Sequence, residues 1–114
     1  MLQKTPTWAT VTMRLHDGCW LYIAECSDGS FYVGTTRGDV ATRIGEHNAG
    51  LRQGSYTFKR RPVTLLFAEH YPNITDAIAM ERRVKGWSRR KKMAMINGNW
   101  HQLSELSRRG RRSG

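Results

Sequence analysis

Two charged side chains fall where the apolar spacing of their segments calls for core. Between Gly38-Asp39, which reads as a helix start, and Asn48 and Gly50, which read as its stop, Val40, Ile44 and His47 recur at i, i+4 and i+7. Arg43 lies one turn from Val40 and His47 and beside Ile44, so it leans toward the buried side. Farther along, Glu81 is flanked by Ala77, Ile78 and Val84. Burying an ion is costly unless it is paired or bound to metal. Three readings of Glu81 stay open on spacing alone: an ion pair with Arg43, ligation of a metal ion, or a place on the solvent face. Upstream, Tyr22 and Tyr32 sit in β-prone stretches, where a tyrosine is either a half-buried packing residue or a catalytic group. Gly34, inside the second stretch, marks either a bulge or a place where a substrate or backbone comes close.

The elements that must position these residues are marked by local signals. Trp20 to Glu25 and Phe31 to Thr35 are β-prone, and Ser27-Asp28-Gly29-Ser30 between them is a tight-turn sequence, so the three form a hairpin. Residues 50–62 are rich in Gly, Arg and Lys and read as a basic loop closed by Pro62. Val63 to Glu69 is a third strand, broken by Pro72-Asn73. Asn73 or Thr75 caps a second helix running to about Trp87, and Ser88 restarts a third that passes Met93 and Ile96 and stops at Asn97-Gly98. Trp8 to Leu15 reads as an extra strand or an ordered arm, and Ser107 to Gly114 as a frayed end. The order is β-β-α-β-α-α, an α+β fold with a small three-stranded sheet and helices packed on it. The expected organisation is an N-terminal extension over 1–18, one domain over 19–98 and a basic C-terminal tail over 99–114.

The charge says what this scaffold faces. The 114 residues carry 19 Lys+Arg against 9 Asp+Glu, a net +10. Residues 1–80 hold eight basic and seven acidic groups, whereas 81–114 hold eleven and two. So cationic a half attracts a polyanion and makes its affinity salt-sensitive. Nucleic acid is the expected polyanion, with an anionic membrane as the competitor and a merely solvated basic face as the alternative; the partner expected is nucleic acid, not membrane. The longest apolar runs, such as Val63 to Ala68, are too short to span a bilayer, and Met1 to Trp8 lacks the apolar stretch of a secretory signal. Cys19 and Cys26 are seven apart, which within one strand places them on opposite faces, and no CxxC or zinc-spaced Cys/His cluster occurs. The expected setting is reducing, intracellular and cytoplasmic.

Taken in order, Leu21-Tyr22-Ile23, then Asp28-Gly29-Ser30-Phe31-Tyr32-Val33-Gly34-Thr35, then Arg43-Ile44-Gly45-Glu46-His47-Asn48 resemble the GIY-YIG nuclease superfamily. The likeness is greatest to the compact bacterial branch related to the catalytic subunit of Holliday-junction-resolving, structure-specific endonucleases. Tyr56, Arg60-Arg61-Pro62-Val63 and Glu81-Arg82-Arg83-Val84-Lys85-Gly86-Trp87-Ser88 extend it, so that it covers about residues 19 to 98. The chain departs from the pattern at three places. The first motif lacks its glycine, one extra residue lies near Arg37-Gly38, and Thr35 and Thr36 stand where some relatives carry a lysine.

The resemblance implies a three-stranded antiparallel sheet flanked by helices and a metal-dependent endonuclease. It implies that Tyr22, Tyr32, Arg43, His47 and Glu81 form the catalytic set, with Glu81 holding Mg²⁺ or Mn²⁺. A single carboxylate suits an ion that keeps most of its water. Arg43 would neutralise the phosphate and Tyr22, or Tyr32 in exchanged roles, would take the proton of the attacking water, helped if Arg43 and the metal favour the phenolate. Nucleic acid is expected along Arg52, Tyr56, Lys59, Arg60 and Arg61 of the basic loop and along Lys85, Arg89, Arg90, Lys91 and Lys92. The substrate expected is DNA, with RNA also compatible with the charge, in a branched, flapped or single-stranded form. The alternatives are a nuclease subunit whose protein partner supplies specificity, for which a chain this small leaves room, and a non-catalytic nucleic-acid-binding protein on the same scaffold.

Overall fold

The computed structural model describes residues 18–113, with side-chain surroundings through Arg108. The elements are β1 (Cys19–Glu25), β2 (Phe31–Thr36), α1 (Val40–Asn48), a 3-10 turn (Phe58–Arg60), β3 (Thr64–Tyr71), α2 (Ile74–Lys85), α3 (Arg89–Ile96) and α4 (Trp100–Ser113). The sheet is antiparallel with β1 in the centre and the order β2-β1-β3. At the hairpin tip Gly29 takes φ 85°, a conformation open to glycine at no steric cost. The Asp28 carboxylate accepts from the Ser30 backbone N–H at 3.0 Å, and Arg89 donates to the Gly29 carbonyl at 2.7 Å, tying the tip to α3.

Strand alternation then divides the sheet into two faces. Leu21, Ile23 and Val33 point to one side and pack with Val84 of α2 and Met95 of α3. Tyr22 and Ala24 point to the other, where Tyr32, Ile44 of α1 and Val63 lie. Leu21 and Ile23 are fully buried, so truncating either to alanine would cost about 2–5 kcal/mol. The register places Tyr22 opposite Gly34 and Ala24 opposite Tyr32. An irregularity between Ile23 and Ala24 shifts the pairing with β3.

Each of the first three helices begins on a side-chain cap. The Asp39 carboxylate accepts from Thr42 N–H at 2.9 Å, Asn73 from Thr75 N–H at 2.8 Å and Ser88 from Lys91 N–H at 3.1 Å. Asn73 rather than Thr75 is therefore the cap of α2, which stops at Lys85, two residues short of Trp87. The third strand runs to Tyr71 instead of Glu69.

The larger correction is at the C-terminus. The expected frayed end is helical through Ser113, and Leu103 of α4 packs against the core. Asn99 accepts from Gln102 N–H at 3.1 Å, and Leu103 and Leu106 are half-buried. Cys19 and Cys26 are buried and free, as their separation implied. The stretch Trp8 to Leu15 lies outside the described residues.

Candidate active site

The face of the sheet carrying Tyr22 is where the polar groups converge. Tyr22 and His47, at 1% and 2% exposure, are both buried, and the Tyr22 hydroxyl lies 2.9 Å from His47 Nε2. The other ring nitrogen, Nδ1, is 2.7 Å from Thr57 Oγ1, which is 2.8 Å from Ser55 Oγ. A chain of four side chains thus runs from the sheet, across α1, into the basic loop. Asn48, at the end of α1, fixes that loop: it donates to the Val63 carbonyl at 3.0 Å and accepts from Val63 N–H at 2.7 Å.

Gly34 is what admits Tyr22. A Cβ at this position would lie 2.7 Å from the Tyr22 hydroxyl oxygen and 2.9 Å from Cε2 of Tyr32. What comes close to the backbone here is the side chain of a neighbouring strand, and the register shows no bulge between β1 and β2. The Tyr22 and Tyr32 rings have centroids 6.1 Å apart, and Tyr32 meets His47 edge-on at 5.2 Å.

Electrostatics at this cluster follow from burial. Desolvation, with Tyr32 adding to it, pushes the Tyr22 phenol up to about 12, although Arg43 and Arg52 pull the other way. In the free protein Arg43 and Arg52 alone do not outweigh that desolvation. Burial, with Arg52 and Arg43, holds His47 below its ordinary value, so its imidazole is neutral at pH 7.

Arg43 is half-buried, as its spacing implied, and is held by two contacts. Its Nε donates to Glu46 at 3.1 Å and its Nη1 to the Thr35 carbonyl at 3.3 Å. Glu46 also pairs with Arg52 at 3.5 Å. Glu81 is 17% exposed and pairs with Lys85 at 3.0 Å, one turn along its own helix. The direct Arg43–Glu81 bridge is therefore not formed. Among the described residues no three His, Cys, Asp or Glu side chains gather as a full metal cage. Glu81 offers one half-buried carboxylate, a donor that fits a cation completing its shell with water and phosphate.

The basic residues sort into two kinds. Arg60 lies 3.7 Å over the Tyr56 ring, donates to the Tyr56 carbonyl at 2.7 Å and pairs with Asp28 at 3.2 Å. Arg61 covers Phe58 and donates to the Phe58 and Asn48 carbonyls. Both hold the loop in shape. Lys59 and Arg90 are exposed, Lys91 lies over Trp87 at 4.4 Å, and Arg89 covers Phe31 at 4.0 Å. Tyr56 is 44% exposed and nearly parallel to Tyr32. Thr57, Ser55 and Glu46 had no assigned role in the sequence, because nothing in a loop's spacing reports which hydroxyl turns inward.

A three-stranded antiparallel sheet flanked by helices, with a buried tyrosine–histidine pair on one face, defines the class as a compact α+β domain. The chain belongs to the GIY-YIG nuclease family, whose catalytic-domain model matches residues 18–94. It is 42% identical over 81 residues to the UPF0213 proteins of Staphylococcus aureus strains Mu3 and N315, covering 70% of this chain and 95% of theirs. The solution NMR structure of a UPF0213 protein from Bacillus halodurans is 39% identical, covers 70% of this chain and 83% of that one, and superposes with a TM-score of 0.46.

Proposed function

We propose that this protein is a divalent-metal-dependent endonuclease that hydrolyses phosphodiester bonds in DNA, acting on branched, flapped or single-stranded forms. The observation that carries the reading is the buried Tyr22–His47–Thr57 chain set beside Arg43. Of the two tyrosines, Tyr22 is the one hydrogen-bonded to a proton acceptor. With its phenol near 12 and His47 neutral, Tyr22 donates to Nε2. Nδ1–H then donates to Thr57, whose hydroxyl shares a hydrogen bond with Ser55.

In the reaction the Tyr22 oxygen takes a proton from the attacking water while its own proton passes to His47 Nε2. The proton ends on the imidazole, and no free phenolate has to form. Arg43, pre-set by Glu46 and the Thr35 carbonyl, offers a planar fork to the non-bridging oxygens. Glu81 would hold Mg²⁺ or Mn²⁺, which supplies charge stabilisation at phosphorus and the leaving oxygen.

The test is cleavage of labelled single-stranded, duplex, flap and four-way DNA with Mg²⁺ or Mn²⁺, beside Glu81→Ala and a chelator control. The expected result is metal-dependent cutting that Glu81→Ala abolishes while substrate binding persists. Loss of binding in step with cleavage would count against metal ligation by Glu81. Tight binding without cutting by the wild type would overturn the autonomous nuclease.

A further inference from the structure

A cavity of about 340 Å³ lies at the open edge of β2, lined by Phe31, Tyr32, Val33, Tyr56, Lys85 and Lys92. Because β2 is an edge strand, the cavity draws on both faces of the sheet: Phe31 and Val33 from one, Tyr32 from the other, with Tyr56 from the loop. Tyr32 and Tyr56 are nearly parallel, 18° between planes with centroids 6.4 Å apart. Their neighbours are cations: Arg60 covers the Tyr56 ring and Arg89 covers Phe31.

Among the described residues no acidic side chain lines the cavity. Lys85, on its wall, is the ion-pair partner of Glu81. Lys92 is half-buried, and among the described residues no carboxylate pairs with it. Burial also holds the Lys92 ammonium below its ordinary value, the state of a cation short of a counter-charge. Aromatic faces beside one paired lysine and one under-compensated lysine suit a planar ring attached to a phosphate.

We propose that this cavity is a nucleobase subsite for single-stranded nucleic acid. It takes one base unstacked from the strand beside the phosphate at the Tyr22–Arg43 site, with Lys85 and Lys92 on the adjoining phosphate. The inference rests on the reading that this chain acts on nucleic acid and adds what selects the substrate. A duplex keeps its bases paired and stacked and cannot fill the cavity, whereas a single strand or a flap can. Selection is by exposed base rather than by sequence, since every base offers a π-face.

The experiment is competition binding by fluorescence anisotropy in EDTA, so that neither metal nor cleavage enters. A labelled short oligothymidylate is displaced by the same unlabelled oligomer, by an abasic oligomer with the same number of phosphates, and by a duplex of equal length. For the wild type the abasic oligomer should compete roughly 5- to 150-fold less well than the thymidylate. Tyr56→Ala should lose most of that difference, and Tyr56→Phe, which keeps the ring, should preserve it. Tyr56 is on an exposed loop, and circular dichroism checks that its variants fold. Lys92→Ala should instead flatten the dependence of log K on log[salt] by about 0.7.

Equal competition by abasic and thymidylate oligomers, or full discrimination by a folded Tyr56→Ala, overturns the subsite. Either failure leaves the nuclease reading intact, because no step of the assay requires cutting. A chain that discriminates in this way and yet cleaves nothing keeps the subsite and loses the nuclease.

Discussion

Replacing Gly34 by alanine adds one methyl group at the point where two tyrosines crowd the backbone. The added carbon would sit 2.7 Å from the Tyr22 hydroxyl oxygen, 2.8 Å from its Cζ and 2.9 Å from Cε2 of Tyr32, against the 3.4 Å at which ordinary contact begins. Tyr22 must therefore retreat by about 0.7 Å and Tyr32 by about 0.5 Å. Tyr22 is sealed on its other sides and bonded to His47 at 2.9 Å, so the retreat displaces or breaks that bond. Overpacking of this kind costs about 1–3 kcal/mol. For a domain of this size each kcal/mol lowers Tm by about 4–8 °C. A misplacement approaching 1 Å at a reacting group costs up to roughly 100-fold in rate, so kcat should fall by about 10- to 100-fold. The assay is single-turnover cleavage at saturating metal and substrate, with Kd measured in chelator and thermal melting in parallel. Kd for an abasic oligomer should stay within about threefold, because the phosphate-binding cations are untouched. A Gly34→Ala protein that melts early but cleaves at the wild-type rate would refute the role given to the position of Tyr22.

Thr57→Val leaves a buried His47 Nδ1–H without an acceptor, which should cost about 1–3 kcal/mol of stability and about tenfold in kcat as the tautomer loosens. Thr57→Ser should restore both, and a fully active Thr57→Val would show that the chain beyond His47 is idle. His47 is held below its ordinary value of 6.5, so the unfolded chain takes up its proton first as pH falls. This contribution to stability is complete above 6.5 and is lost as pH falls through the folded value. The acid limb of kcat should accordingly lie below 6.5, and a limb above it would contradict a neutral, buried acceptor. Tyr22 and Tyr71 both rise from 10.0 to about 12, so their share of stability is present below 10 and fades between 10 and 12 in a pH series of melting curves. Lys85→Ala removes the cation beside Glu81 and should lower the concentration of Mn²⁺ needed for half-saturation, measured without substrate, by about 1.5- to 5-fold.

The parts of the fold that could be read from the sequence are those specified by neighbours in the chain. The Asp-Gly turn and the caps Asp39, Asn73 and Ser88 announce themselves within a few residues, and β1 and β2 follow from the run of side chains on either side of the turn. Helix α4 was hidden because its Leu103 and Leu106 stripe is interrupted by arginine, glycine and serine, and only packing against the core repays so polar a helix. Arg43 and Glu81 were visible as misplaced charges, but not their partners. Each finds an opposite charge on its own helix, Glu46 at i+3 and Lys85 at i+4, where no long-range contact is required. The inward turn of Thr57 is a tertiary fact with no periodic trace. The rise of Tyr22 was equally illegible, since its sign depends on burial outweighing Arg43, and composition reports charge but not depth.

Tyr56 and Thr57 are adjacent in the chain and look in opposite directions. One faces the cavity at the edge of β2 and the other fixes the imidazole beneath it. A single peptide unit separates what this protein grips from how readily it reacts. The loop is therefore a poor module for exchange: grafting it from a relative to change preference would import that relative's proton relay as well. Diversification of such a domain would proceed by substitutions at Tyr56 within a loop whose length is kept, rather than by insertion, and preference and reactivity would drift together.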